Sequence, residues 1–144
     1  MKNIRNGWAG LGAAAMLAVS LAGFPGAAAA QTVKIVLSGD QETPPIKTTA
    51  SGSGTVTVNP DKTVSGSVAT TGVEGTMAHI HLAPSGKAGP VIIPLQKNGA
   101  HDWTVPAGAK LSDEQYQAFK AGSLYVNVHS AEHKEGEIRG QLMP

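Results

Sequence analysis

Apolar and polar residues alternate near the C-terminus of this chain, in segments 124–129 and 137–142. An alternation of period two is typical of a strand with one buried face. The polar residues between the two segments predict a turn, so the segments are expected to form neighbouring strands. Outside the apolar positions, these strands carry Tyr125, Asn127, His129, Glu137 and Arg139.

A second alternating segment, residues 76–82, contains a His-x-His motif. Met77, His79 and His81 are expected on one face of this strand, with the apolar residues between them on the other. If the strand lies beside the two C-terminal strands, three histidines converge on one polar sheet face.

The N-terminus has the organisation of a secretory signal peptide. Lys2 and Arg5 form a basic start, residues 11–21 are a short apolar run, and small residues at 28–30 suit a signal peptidase. We therefore predict a signal peptide over residues 1–30, cleavage after Ala30, and a periplasmic or secreted protein. The apolar run is short for a membrane span and the chain has no cysteine to carry a lipid, so no membrane anchor is expected after cleavage.

The predicted mature chain, residues 31–144, has the size of one domain. Removing Lys2 and Arg5 from the 11 basic residues leaves 9 against 10 acidic residues, a net charge of about −1 with neutral histidines. No basic patch suggests a nucleic-acid partner. Because the chain has no cysteine, a hydrophobic core must stabilise the fold without disulfides.

The rest of the mature chain is interpreted as further strands and one helix. A Pro-rich loop is expected over residues 39–49, and a helix over 113–121 because Ser112 and Gln115 suit a capping box. Apolar patterning predicts strands at 33–37, 55–58, 63–68, 91–95 and 103–105. About eight strands and one short helix predict an all-β fold, an immunoglobulin-like (Ig-like), Greek-key antiparallel β-sandwich.

Five ordered motifs resemble the CHRD domain, which is named for its repeats in chordin, the extracellular antagonist of bone morphogenetic proteins. The motifs lie at residues 37–45, 78–82, 89–91, 124–129 and 136–142. The resemblance covers essentially the whole mature chain and implies a secreted or periplasmic single domain of β-sandwich type. It does not imply growth-factor binding, because the cysteine-rich modules of chordin are missing here.

The polar face could hold a metal. His79 and His81 would have Cβ atoms about 6–7 Å apart, which suits chelation of one ion. His129 would add a third imidazole and Met77 a thioether, a combination that favours copper. The arrangement is similar to the copper side of copper/zinc superoxide dismutase, although no bridging histidine, zinc-ligand set or disulfide can be assigned.

An alternative interpretation of the same face is a polar network without metal. Arg139 is the one arginine that remains after cleavage. If only a solvated positive charge were needed at this position, lysine would serve equally well. A fork from Arg139 to Glu137 or Glu74, or to backbone carbonyls, is therefore suggested. Together with Asn127 and Tyr125, it would hold the strands in register.

These observations leave three functions open. The first is a non-enzymatic binding or interaction module of the cell envelope with an unknown envelope or extracellular partner. The second is a periplasmic copper-binding protein that uses His79, His81 and His129, with Met77 as a tentative ligand. The third is a redox enzyme built on that copper. No catalytic residue is predicted, because no nucleophile elbow, phosphate loop or paired acid and base can be identified.

Overall fold

The computed structural model describes residues 26–144, so most of the predicted signal peptide lies outside the described residues. The prediction of an antiparallel all-β fold with one α-helix is confirmed, and the strands number nine instead of about eight in the described part of the chain. They are β1 (Gln31–Ser38), β2 (Ser51–Val58), β3 (Val64–Thr71), β4 (Gly75–Leu82), β5 (Val91–Pro94), β6 (Gln96–Lys97), β7 (Asp102–Thr104), β8 (Leu124–Ser130) and β9 (Ile138–Leu142). The helix α1 spans Asp113–Lys120 and lies between β7 and β8.

The strands pair into one nearly closed sheet of order β5-β4-β8-β9-β1-β2-β3-β7-β6. The outer strands β5 and β6 are separated by one residue, Leu95, whose N–H donates to the Ala78 carbonyl in β4 at 2.9 Å. Nearby, Nζ of Lys97 donates to the carbonyl of Gly75 at 2.8 Å. These bonds bring the two ends of the strand order together, so the sheet is nearly closed.

Alternating apolar residues form the core. On β1, Val33, Ile35 and Leu37 are buried, while the residues between them are exposed or only partly buried. The predicted hairpin is confirmed as β2 and β3, and its inward residues Val56 and Val68 are each 1% exposed. Burial on this scale, at about 25 cal/mol per Å² of apolar surface, stabilises a fold that has no disulfide.

The helix has the predicted start. The Ser112 side chain accepts the Gln115 backbone N–H at 3.1 Å, and the Gln115 side chain accepts the Ser112 N–H at 2.9 Å. The helix ends at Lys120, one residue before the predicted end, because Ala121 is its C-cap and Gly122 follows with φ +70°. Phe119 is fully buried and packs α1 against the core.

Two loops cover the polar face of β4, β8 and β9, which are neighbours in the sheet, so the condition set for one shared polar face is met. The loop after β1, residues 39–49, reaches this face through Glu42 and Thr48. The loop after β4, residues 83–90, reaches it through the backbone of Pro84, Lys87 and Gly89. All seven residues of β8 are consequently buried, the polar ones included.

Candidate metal centre

The register of β4 against β8 places the histidines together. Met77 pairs with His129, and two residues further along β4, His79 pairs with Asn127. His81 pairs with Tyr125, which continues the same face. Directly opposed residues of antiparallel strands point to the same side of a sheet. The alternation in two distant segments therefore produces one shared polar face.

The three imidazoles form a compact cluster. Each of His79, His81 and His129 offers a ring nitrogen, and these atoms lie within 4.8 Å of one another. Nδ1 of His79 is 3.0 Å from Nε2 of His129. His81 and His129 are buried and His79 is half-buried, so the cluster is shielded from solvent and is most exposed at His79.

Backbone carbonyls fix the tautomers of two rings. Nδ1–H of His81 donates to the Gly89 carbonyl at 2.9 Å, and Nδ1–H of His129 donates to the Lys134 carbonyl at 2.8 Å. In the neutral rings, Nε2 of each residue must then carry a lone pair. Nε2 of His129 faces His79, whereas Nε2 of His81 is buried and has no hydrogen-bond partner among the described residues.

The surroundings favour uncharged imidazoles. Burial lowers the pKa of His79, and the neighbouring His129 and His81 lower it further. Burial also lowers the pKa of His81, with smaller contributions from His129 and Arg139, although the hydrogen bond to Gly89 acts in the opposite direction. Neutral imidazole is the form that binds a metal.

Arg139 holds the loop after β4 in place. Its two terminal nitrogens donate to the carbonyls of Lys87 at 2.8 Å and Pro84 at 3.0 Å, and Nη2 also donates to Gln141 at 2.9 Å. The suggested fork to backbone carbonyls is therefore found. The alternative pairing with Glu137 or Glu74 is not seen within residues 26–144, because the loop carbonyls already occupy the guanidinium.

A stack of three side chains connects Arg139 to the histidines. The guanidinium carbon lies 3.5 Å from the centre of the Tyr125 ring, and the His81 ring stacks on Tyr125 at 4.8 Å with an angle of 8° between the planes. The Tyr125 hydroxyl accepts the Gly89 N–H at 3.2 Å. Arg139 and Tyr125 thus position the carbonyl that orients His81, as groups around a metal ligand often do.

Glu42 is a site residue that the sequence interpretation missed. Its carboxylate accepts a hydrogen bond from the amide of Asn127, the cross-strand partner of His79. Burial raises the pKa of Glu42 from 4.5 to about 7, although Arg139 and Asn127 act to lower it. The one sequence signal for a role of Glu42 was its place in the motif at 37–45. No local pattern indicates which strand the Pro-rich loop covers.

Glu137 and Met77 complete the face. Glu137 is buried and accepts a hydrogen bond from the Thr48 hydroxyl at 2.7 Å, so it anchors the loop after β1. Met77 lies opposite His129 and is 51% exposed. The predicted site residues thus meet on one face, where Glu137 contacts the loop after β1 and Arg139 mainly the loop after β4.

Comparisons with known proteins give the family. Searches of curated proteins and of solved structures give no significant match. Among residues 26–144, no helix is long and apolar enough to cross a membrane. The family model described as the CHRD domain matches residues 33–142, which is most of the chain, and the chain therefore belongs to the CHRD-domain family.

Proposed function

We propose that this protein is an exported binding module of the cell envelope, and that its ligand is a transition-metal ion, copper in the first place, held by His79, His81 and His129. The observation that carries the proposal is the convergence of three imidazole nitrogens within 4.8 Å. Membership of the CHRD family supports a binding role and an extracellular or periplasmic location, because CHRD domains are typically extracellular modules.

The unpartnered nitrogen of His81 favours a metal over a purely structural network. Buried polar side-chain atoms normally have a hydrogen-bond partner. Nε2 of His81 has no hydrogen-bond partner in the described chain, although Nδ1 of the same ring donates to the Gly89 carbonyl. A ring held at one nitrogen with a free lone pair at the other has the arrangement of a metal-ligating histidine.

The ligand type narrows the choice of metal. Imidazole suits copper, zinc, nickel and iron, whereas calcium and magnesium prefer oxygen ligands. For a given set of nitrogen ligands, copper(II) binds more tightly than the other divalent ions of the first transition row. When an ion binds between His79 and His129, the proton now shared by their facing nitrogens would move to the other nitrogen of His79.

A protein-binding role without metal is the second candidate. It is favoured by the His79–His129 hydrogen bond, which can hold β4 and β8 in register unaided. In that case the histidines are structural, and the partner is an unknown protein of the envelope or the extracellular space.

Calorimetric titration of the chelator-stripped protein with Cu²⁺ and Zn²⁺ distinguishes the two candidates. We expect one ion per chain, and a loss of affinity of more than about 100-fold in His79→Gln, because a lost ligand should cost more than a lost outer-shell contact. His79 is half-buried, so this variant should fold, which a thermal melt verifies. The matched control, His101→Gln, changes an exposed histidine outside the cluster and should bind as the wild type does. Absence of binding by the folded wild-type protein would refute the metal role.

A further inference from the structure

Met77 occupies an unusual position for a methionine. It lies in the middle of β4, yet its side chain is 51% exposed and is not part of the hydrophobic core. Single exposed apolar residues are common on protein surfaces, so exposure alone indicates nothing. The neighbours of Met77 are what distinguish it.

The strand register places Met77 next to the cluster. Pairing of β4 with β8 shifts between Gly75 and Met77 and is continuous from Met77 onwards, with Met77 directly opposite His129. Opposed residues have Cβ atoms about 5 Å apart on the same side of the sheet. His79, two residues along β4, shares that side, so Met77 flanks two of the three histidines.

The Met77 side chain is also adaptable. Methionine is unbranched and has three rotatable bonds, and Met77 lies outside the hydrophobic core. The cluster is more open at His79, which is half-buried, than at the buried His81 and His129. A thioether next to the open side of a three-imidazole cluster can act as a fourth ligand without rearrangement of the backbone.

The chemistry of sulfur indicates which ion this ligand would select. Thioethers are soft ligands and select copper(I), whereas zinc and copper(II) are bound well by imidazole alone. We propose that Met77 is the fourth ligand when the centre holds copper(I), so that the protein binds copper in its reduced form as well. This inference rests on the proposed function, because it requires the three histidines to bind metal.

Competition for Cu⁺ under anaerobic conditions tests the inference. The protein competes with a chromophoric Cu⁺ chelator, with ascorbate present to keep the copper reduced, and the same preparations are titrated with Zn²⁺. Met77→Leu should lower the affinity for Cu⁺ by about tenfold or more, since one soft ligand is lost, and should change Zn²⁺ affinity by less than about twofold. The control, Met143→Leu, alters a methionine that is 65% exposed and lies against Gly122, and should change neither affinity.

X-ray absorption at the copper edge supplies a second readout. The Cu⁺-loaded wild-type protein should show scattering from one sulfur atom, which Met77→Leu should lose and Met143→Leu should keep. Equal Cu⁺ affinities of the wild type and Met77→Leu, or an all-nitrogen spectrum for the wild type, would overturn the role of Met77 while Zn²⁺ binding persists. Failure to bind either ion would instead overturn the three-histidine site itself.

Discussion

Replacement of Glu42 by glutamine should change how the stability of this protein depends on pH. Glu42 belongs to the loop after β1 and is 8% exposed, and its carboxyl group accepts a hydrogen bond from the amide of Asn127. Burial penalises the charged form and raises the pKa of Glu42 to about 7 in the folded protein. In the unfolded chain the pKa should return to its ordinary value of 4.5.

Proton linkage gives the sign and the size of the change in unfolding free energy with pH. Because folding raises the pKa of Glu42, the contribution of Glu42 to stability is fully present below pH 4.5 and is lost as the pH rises to about 7. Above pH 7 the loss is complete. Because one pKa unit corresponds to about 1.4 kcal/mol, the unfolding free energy should fall by about 3 kcal/mol across this interval.

Urea denaturation of the metal-free protein between pH 4 and pH 8 measures the effect. Glu42→Gln keeps the size of the side chain and an acceptor for Asn127, but it cannot ionise. The variant should match the wild type near pH 4 and exceed its unfolding free energy by about 3 kcal/mol near pH 8. Taking the difference between the two proteins removes the opposite trend from His79 and His81, whose lowered pKa values favour the folded state as pH rises.

Glu137→Gln is the matched control, because Glu137 is also buried and hydrogen-bonded to the loop after β1. The fall in stability that is due to Glu42 should persist in this variant. A difference between Glu42→Gln and the wild type that stays constant from pH 4 to pH 8 would refute the argument that Glu42 is protonated in the folded protein near neutral pH.

Two further substitutions test how the loops are held over the site. Arg139→Lys should lower the unfolding free energy by about 2–4 kcal/mol, because one ammonium group cannot replace the planar fork that binds two loop carbonyls. The control, Lys34→Arg at an exposed strand position, should leave urea denaturation unchanged. Equal stability of Arg139→Lys and the wild type would contradict this role of Arg139. Gly136→Ala should lower the unfolding free energy by more than the roughly 1–2 kcal/mol expected for Gly86→Ala in the same assay. Both glycines have positive φ, but only at Gly136 would a methyl group contact Asn127 and lie 2.7 Å from Oε1 of Glu42. Equal losses of stability in the two variants would show that this contact relaxes at no cost.

Local patterns were sufficient to predict much of the fold. Alternation places Val33, Ile35 and Leu37 in the core, and the same rule assigns the inward residues of the hairpin. The helix start could be predicted because a capping box is formed by residues only three positions apart. The complete strand order, and the near-closure through Leu95 and Lys97, could not be predicted because they depend on pairing between distant segments.

In the candidate site, too, features set by local patterns could be predicted and features set by contacts between distant segments could not. His79 and His81 could be assigned to one face of their strand because strand periodicity fixes the direction of each side chain. Their meeting with His129 stayed conditional, because it depends on the pairing of β4 with β8. The partners of Arg139 were left open, since backbone carbonyls of a loop have no signature in the sequence. Glu42 was missed because the path of a Pro-rich loop over the sheet is set by packing, and its contact with Asn127 joins residues 85 positions apart.

Binding of copper by the three histidines is tested by locating the metal in crystals of the copper-loaded protein, from anomalous scattering at the copper edge. We expect one strong peak among His79, His81 and His129, at about 2.0–2.1 Å from a nitrogen of each ring, the range usual for imidazole ligands. A peak elsewhere on the molecule, or no peak together with an intact His79–His129 hydrogen bond, would contradict copper binding at this site.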